Sequence, residues 1–389
     1  MTSSGPSPKA TRQIDFRQSA QLVPILEHLG CSLLVSTYAA GKVISVGTSA
    51  GELHLGFTNF QQAMGIAAPS ETATQNTSEA KTAAKDSIAV GGTNAIWLLR
   101  DGGSLAQRID PDGGLDRLYL ARESFLTGNI AVHEMAWGDG GQLWMVNTLF
   151  SCLATLHEDY NFVPQWHPPF ITSLVAEDRC HLNGMAMVDG RPRYVTALGT
   201  SDEERGWRPN KSEGGVLIDV PSGEIIASGF CMPHSPRQYL GNLFVLDSGR
   251  GRLVRVDAKN GDLTEVADYP GYGRGLAFAG QFAFVGMSKA RETSVFGGVP
   301  ICQDRSAMRC GIVVIDLKSS RSVAFLEFES GVDELFDVQV IPRAKRTELR
   351  GPFPREDNQP PVWVVPPEQQ VNKLVNRSQA GPVSRNRPL

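Results

Sequence analysis

Three histidines, His133, His181 and His234, each stand near the start of an apolar stretch, with Glu134, Asn183, Arg274, Glu334 and Asp337 at comparable places. Imidazoles and carboxylates are a donor set for a divalent transition metal. His133, His181 and His234, with Glu334 or Asp337 as carboxylate and base, could hold such a metal and activate water. Without metal the same groups would form a ligand pocket. Arg274, a fork of donors between Gly273 and Gly275, would then meet a carboxylate or phosphate group, with Asn183 and the histidines beside it. Two plainer readings stay open: imidazoles that bond loop carbonyls and pack, and an ion pair of Arg274 with Glu334 or Asp337. Arg237, after Pro236, points the same way as Arg274 or enters a packed layer.

Other chemistry finds less support. Cys180 adjoins His181, but adjacent strand residues face opposite ways, which argues against a thiol dyad. The chain has no Gly-rich phosphate loop, His-Glu-x-x-His segment or Gly-x-Ser-x-Gly elbow. Two charged tracts, Asp202 to Arg208 with Trp207, and Ser288 to Thr293 with Lys289 and Arg291, read as loops that overhang the site or as solvated surface.

Residues this far apart need a repeating scaffold to meet, and repeats are visible. Six strand starts recur: Met64-Gly65-Ile66-Ala67, His133-Glu134-Met135-Ala136, Asn183-Gly184-Met185-Ala186, Ser235-Pro236-Arg237-Gln238, Arg274-Gly275-Leu276-Ala277 and Phe336-Asp337-Val338-Gln339. Their spacing centres near the ~40–50 residues of a four-stranded propeller blade. Acidic turns follow at Ile109 to Gly113, Ile218 to Gly223, Val256 to Gly261 and Ile315 to Ser320, with a weaker copy at Leu156 to Asp159. Asp and Asn bond their own backbone and Gly supplies positive φ, so each reads as a hairpin between outer strands.

The expected fold is therefore all-β, a single β-propeller of about six four-stranded blades. The last start has too little regular chain after it. Segments Ser32 to Tyr38, Lys42 to Gly47 and Leu53 to Phe57 would complete its blade and close the ring, removing exposed sheet edges. Residues 1–24 read as an N-terminal extension, 25–345 as the propeller, 69–86 as a disordered insertion, and 346–389 as a Pro-rich tail, flexible from Gln370. A helix is expected at Ala20 to Leu29.

With 37 basic and 41 acidic residues in 389, the net charge of −4 offers no footprint for nucleic acid or an anionic membrane. No apolar run approaches the roughly 18 residues of a membrane helix, and no secretory leader is evident, so a cytoplasmic protein is expected. Six scattered cysteines without a Cys-x-x-Cys pair read as buried free thiols.

At Ser151 to Leu156, Arg179 to Gly184, Met232 to Arg237 and Phe328 to Val332 the chain resembles a bacterial family of conserved hypothetical proteins, over most of residues 25 to 345. That resemblance implies a propeller and no particular activity. The chain is more loosely similar to calcium-dependent six-bladed lactonases of the gluconolactonase type, which implies Asn183, before Gly184, as a metal ligand. Where those enzymes carry Asp-Gly at the next blade start, this chain has His234-Ser235-Pro236, which disfavours a hard cation. Three functions remain open: a binding module for a small polar or anionic molecule, a metal-dependent hydrolase or isomerase, and a protein-interaction scaffold.

Overall fold

The computed structural model describes residues 14–69, 87–111, 113–290, 297–366 and 370. Six antiparallel sheets surround one axis, forming a six-bladed β-propeller. The innermost strands are Ile66–Ala67, Val132–Trp137, Leu182–Val188, Pro233–Tyr239, Tyr272–Ala279 and Asp337–Ile341, in blades 1 to 6. All six expected starts lie at these strands.

Blade 6 closes the ring as expected. Its innermost strand near the C-terminus pairs antiparallel with Ser32–Thr37, Asp337 opposite Ser36, and Lys42–Ser49 and Glu52–Asn59 complete the sheet. Two blades gain a fifth strand. Phe16–Gln18 lines the outer strand of blade 5, and Thr347–Arg350 runs parallel to Arg117–Leu126 on blade 1. Pairing thus continues on both sides of residues 25–345.

Strands here are sandwiched between neighbouring sheets, so their second members are buried on both faces; every residue of Ser32–Thr37 is buried. The core is correspondingly a set of wedges between blades. One wedge joins Leu217, Phe230, Leu243, Val245 and Val254 across blades 3 and 4. Another joins Phe244, Leu246, Leu276, Ala283 and Val285 across blades 4 and 5.

Near the axis there is little room. A Cβ on Gly65 would lie 2.9 Å from the Glu134 backbone, one on Gly184 3.0 Å from Ser235 N, and one on Gly275 2.3 Å from Val338 N. Each glycine lets one innermost strand touch the next, and Gly275 also has φ +80. That contact, rather than freedom for Arg274 to reach a ligand, accounts for Gly275.

The turns at Ile218 to Gly223, Val256 to Gly261, Ile315 to Ser320 and Leu156 to Asp159 join third and fourth strands as expected. Ile109 to Gly113 differs: Ile109 ends a short helix, Leu105–Ile109, inside a longer connection of blade 1. The N-terminal helix spans Leu22–Leu29. All six cysteines are free, and only Cys302 is not buried. No helix among the described residues is long and apolar enough to cross a membrane. The expected insertion lies outside the described residues except Pro69, as does the expected flexible tail except Gln370.

Candidate functional site at the starts of the innermost strands

In blades 2 to 5 the pairing of the first two strands slips by one residue near its start, around His133, Asn183, Ser235 and Arg274. A bulge re-aims the side chains beside it. Residues that a regular ladder would bury between sheets are thereby gathered at one end of the axis.

His133 and His181 meet ring edge to face at 4.9 Å, and His133 lies 5.1 Å from the Phe336 ring. His234 packs 5.6 Å from Tyr272. The Arg274 guanidinium sits over two rings, 4.8 Å from Phe336 and 5.5 Å from Tyr272. Blades 2 to 6 all contribute. The loop carrying Trp207 does overhang the site, with the buried indole 4.6 Å from His181.

Hydrogen bonds set the tautomers. His133 Nδ1 lies 2.9 Å from the Ala131 carbonyl and 2.8 Å from the Thr148 hydroxyl, which itself donates to the Leu182 carbonyl. His234 Nδ1 lies 3.0 Å from the Met232 carbonyl and 3.2 Å from Ser248. A carbonyl only accepts, so Nδ1 carries the proton in both rings and Nε2 keeps its lone pair. His181 Nδ1 instead faces a carboxylate, Asp178 Oδ1, at 2.8 Å; Asp178 Oδ2 accepts from the Trp207 indole at 3.2 Å.

Burial, reinforced by the neighbouring charges, drives His133 and His234 well below the usual imidazole range. For His133 those charges are His181 and Arg274; for His234 they are Arg274, His133 and His181. Both rings are neutral at pH 7. His234 is 4% exposed, and its Nε2 is buried without a hydrogen-bond partner among the described residues. Arg274 pairs with Glu334 at 3.4 Å, longer than a tight charge-assisted bond, and its Nε is buried without a hydrogen-bond partner among the described residues. The expected ion pair of Arg274 therefore falls on Glu334 and not on Asp337.

Several expected roles are reassigned. Asn183 is 2% exposed and spans two blades: its Nδ2 donates to the Pro233 carbonyl at 3.0 Å, while its Oδ1 accepts from Thr196 at 2.8 Å. It ties blades 3 and 4 together. Asp337, 3% exposed, accepts from Ile66 N and Val338 N at 2.8 Å each and from Gln339. Its carboxylate is spent on these donors, so it does not face the site as a base. No group of three or more His, Cys, Asp or Glu among the described residues is placed to hold a metal ion.

Deeper along the axis, Arg237 pairs with Glu134, whose other oxygen accepts from Met185 N at 2.9 Å. Burial pushes the Glu134 carboxyl up to about 7 and that of Asp337 up to about 6, with Arg237 opposing both shifts. Sequence reading left Arg237 undecided and missed this pairing, together with Thr148, Ser248 and Tyr272. One signal was available: a Ser or Thr ends the second strand of five blades, at Ser36, Thr148, Thr196, Ser248 and Ser288, and bonds the start of an innermost strand or the turn before it. Cys180 is buried in the blade core with its thiol pushed up to about 12, as expected of an inert cysteine. Beside His181 a cavity of about 210 Å³ opens, lined in part by Thr148, Asp178, Arg205 and Arg208. Of the second charged loop, Lys289 faces Asp333 at 3.4 Å, and Arg291 lies outside the described residues.

The chain belongs to the family described as "Domain of unknown function (DUF4915)", whose model matches residues 20–349. No curated protein matches it. Among solved structures, a chain of a nidogen/laminin complex is 11% identical with a TM-score of 0.51, covering 81% of this chain and 99% of that one. A protein of unknown function from Bacteroides caccae is 10% identical, with a TM-score of 0.48 over 80% of this chain and 98% of that one. An inactive virginiamycin B lyase from Staphylococcus aureus, crystallised with quinupristin, is 16% identical, with a TM-score of 0.35 over 65% and 76%.

Proposed function

We propose that this member of the DUF4915 family binds a small anionic molecule where its innermost strands begin, with Arg274 as the anchor for the charge and His133, His181 and His234 around it. The observation that carries this reading is the pair of buried, unpartnered polar atoms there, His234 Nε2 and Arg274 Nε. A buried donor or acceptor without a partner costs about 1–3 kcal/mol. A protein that carries two, on side chains that both pack against the Tyr272 ring, has a reason to supply their partners from outside.

Local charge agrees in sign. The overall charge is −4, yet Arg274 is a fixed cation at this place, with the neutral rings of His133 and His234 near it and Glu334 facing it at 3.4 Å. Rings of Phe336, Tyr272 and Trp207 supply apolar walls. Such walls exclude water and strengthen a charged contact.

Melting of the full chain against small carboxylates and phosphates, before and after chelation, tests the reading. At least one anion should raise the melting temperature of the chelated wild type and fail to do so in Arg274→Gln. Anions that never stabilise the protein, or that stabilise Arg274→Gln equally, refute it.

A further inference from the structure

Resting on that reading, we infer that the ligand is a hydroxycarboxylate: its acid group goes to Arg274 and a hydroxyl donates to the bare Nε2 of His234. The two protein groups ask for opposite things. A guanidinium only donates, so Arg274 calls for an anionic acceptor. His234 has committed its proton, because Nδ1 lies 3.0 Å from the Met232 carbonyl and that carbonyl can only accept. What Nε2 offers is a lone pair, buried and unpartnered. A carboxylate oxygen set against a lone pair is repelled. The ligand must therefore bring a hydrogen, and among carboxylates the simplest that does so carries an alcohol near its acid group.

The alternative is that His234 takes a proton from solvent and becomes a donor itself. Everything facing it opposes that except two carboxylates, Asp178 and Glu334, each already paired with another group. Arg274 and Tyr272 come from blade 5, His133 from blade 2, and His181 with its partner Asp178 from blade 3; Ser248 of its own blade meets the Nδ1 side, and Glu334 already faces Arg274. Burial and the nearby positive charges keep the ring neutral.

His133 repeats the arrangement two blades away. Its Nδ1 is held by the Ala131 carbonyl as His234 is held by Met232, so its Nε2 is an acceptor too. A plain dicarboxylate would use Arg274 and leave His234 Nε2 unanswered.

Calorimetry with matched pairs that differ by one hydroxyl tests this on the full chain at pH 7.5: lactate against propionate, malate against succinate, mandelate against phenylacetate. In at least one pair the hydroxy acid should bind about ten-fold tighter or more, the consequence of leaving a buried acceptor unpaired by its deoxy partner. His234→Phe should erase that preference while retaining weak binding of both members, and Arg274→Gln should lose both. Deoxy acids that bind as tightly as their hydroxy partners overturn the inference and leave the anion site standing. No binding by any acid, with Arg274→Gln indistinguishable from wild type, overturns both. Should His234→Phe fail to fold, 15N-labelled histidine in the wild type decides: the Nε2 resonance of His234 should move with the hydroxy acid and not with the deoxy acid, and an unmoved resonance overturns the inference.

Discussion

His133 and His234 stand at corresponding places in blades 2 and 4 and are held in the same way. Each Nδ1 meets the carbonyl two residues earlier, at 2.9 Å from Ala131 and 3.0 Å from Met232, and a hydroxyl from the end of the next strand, Thr148 or Ser248. Ala131 and Met232 both take left-handed backbone, φ 51 and 52, which turns their carbonyls toward the rings. The propeller repeat thus delivers one imidazole device twice. His181 departs from it: it is itself left-handed, with φ 52, and leans on the Asp178 carboxylate.

The neutral state of these rings has a signed consequence for stability. Both folded pKa values lie well below 6.5, so below about pH 6.5 the unfolded chain takes up protons that the folded chain refuses. Stability contributed by the two rings is present above pH 6.5 and is lost as pH falls, by up to about 1.4 kcal/mol per pH unit for each ring until its folded pKa is reached. Urea unfolding of wild type and His234→Phe from pH 7.5 to 4.5 should give the variant the shallower loss toward acid. Parallel curves would count against a buried neutral His234.

Glu134 acts in the opposite direction. Its folded pKa is raised from 4.5 to about 7 by burial, so between about pH 7 and 4.5 the folded chain holds a proton that the unfolded chain releases. This group adds stability as pH falls through that window, offsetting part of the histidine loss. Glu134→Gln cannot titrate, so its stability should drop more steeply with acid than that of the wild type, by up to about 1.4 kcal/mol per pH unit. The same urea series measures it, and an unchanged slope would argue that Arg237 keeps Glu134 ionised throughout.

Contact at the axis makes a sharper prediction about Gly275. An alanine there would carry its Cβ 2.3 Å from Val338 N, at φ +80, where neither strand can retreat without opening the ring. Gly275→Ala should cost about 3 kcal/mol or more, combining left-handed strain with overpacking. Gly51 has a similar φ of +79 in an outer hairpin with nothing within 4 Å of its Cβ. Gly51→Ala should cost only the backbone term, about 1–2 kcal/mol. Thermal melts of the two variants separate the effects, and equal costs would refute the packing argument.

The scaffold was more legible in the chain than the site. Blade starts announce themselves because each repeats a local need, a small residue or bulge at the axis, as Gly65, Gly184 and Gly275 illustrate. Closure by Ser32–Thr37 follows from a final start that lacks partners. The assignments of Asn183 and Asp337 could not be read from local pattern. Their partners, Pro233 and Ile66, belong to neighbouring blades 50 and 271 residues away, and nothing in a strand start says whether its polar side chain turns to the site or to the next blade. Glu134 reaches Met185 N, 51 residues on, by the same inter-blade geometry. Trp207 was visible only as an aromatic in a charged loop, and its place against His181 depends on how that loop folds back over blade 3.

Glu334 competes for the group that anchors the proposed anion. It meets Arg274 at 3.4 Å, and both side chains are largely shielded, at 16% and 14% exposure. An incoming carboxylate must displace that contact or share the guanidinium with it, and repulsion between the two carboxylates opposes sharing. Removing the charge while keeping the shape should favour the ligand. Glu334→Gln is expected to tighten binding of whichever small carboxylate the wild type takes by about 3–10-fold, about 0.7–1.4 kcal/mol, mainly through slower dissociation. The gain should shrink at high salt, where the repulsion it relieves is screened. Calorimetry at two ionic strengths measures both effects. Weaker binding by Glu334→Gln would mean that the carboxylate orders Arg274 for the ligand instead of competing with it.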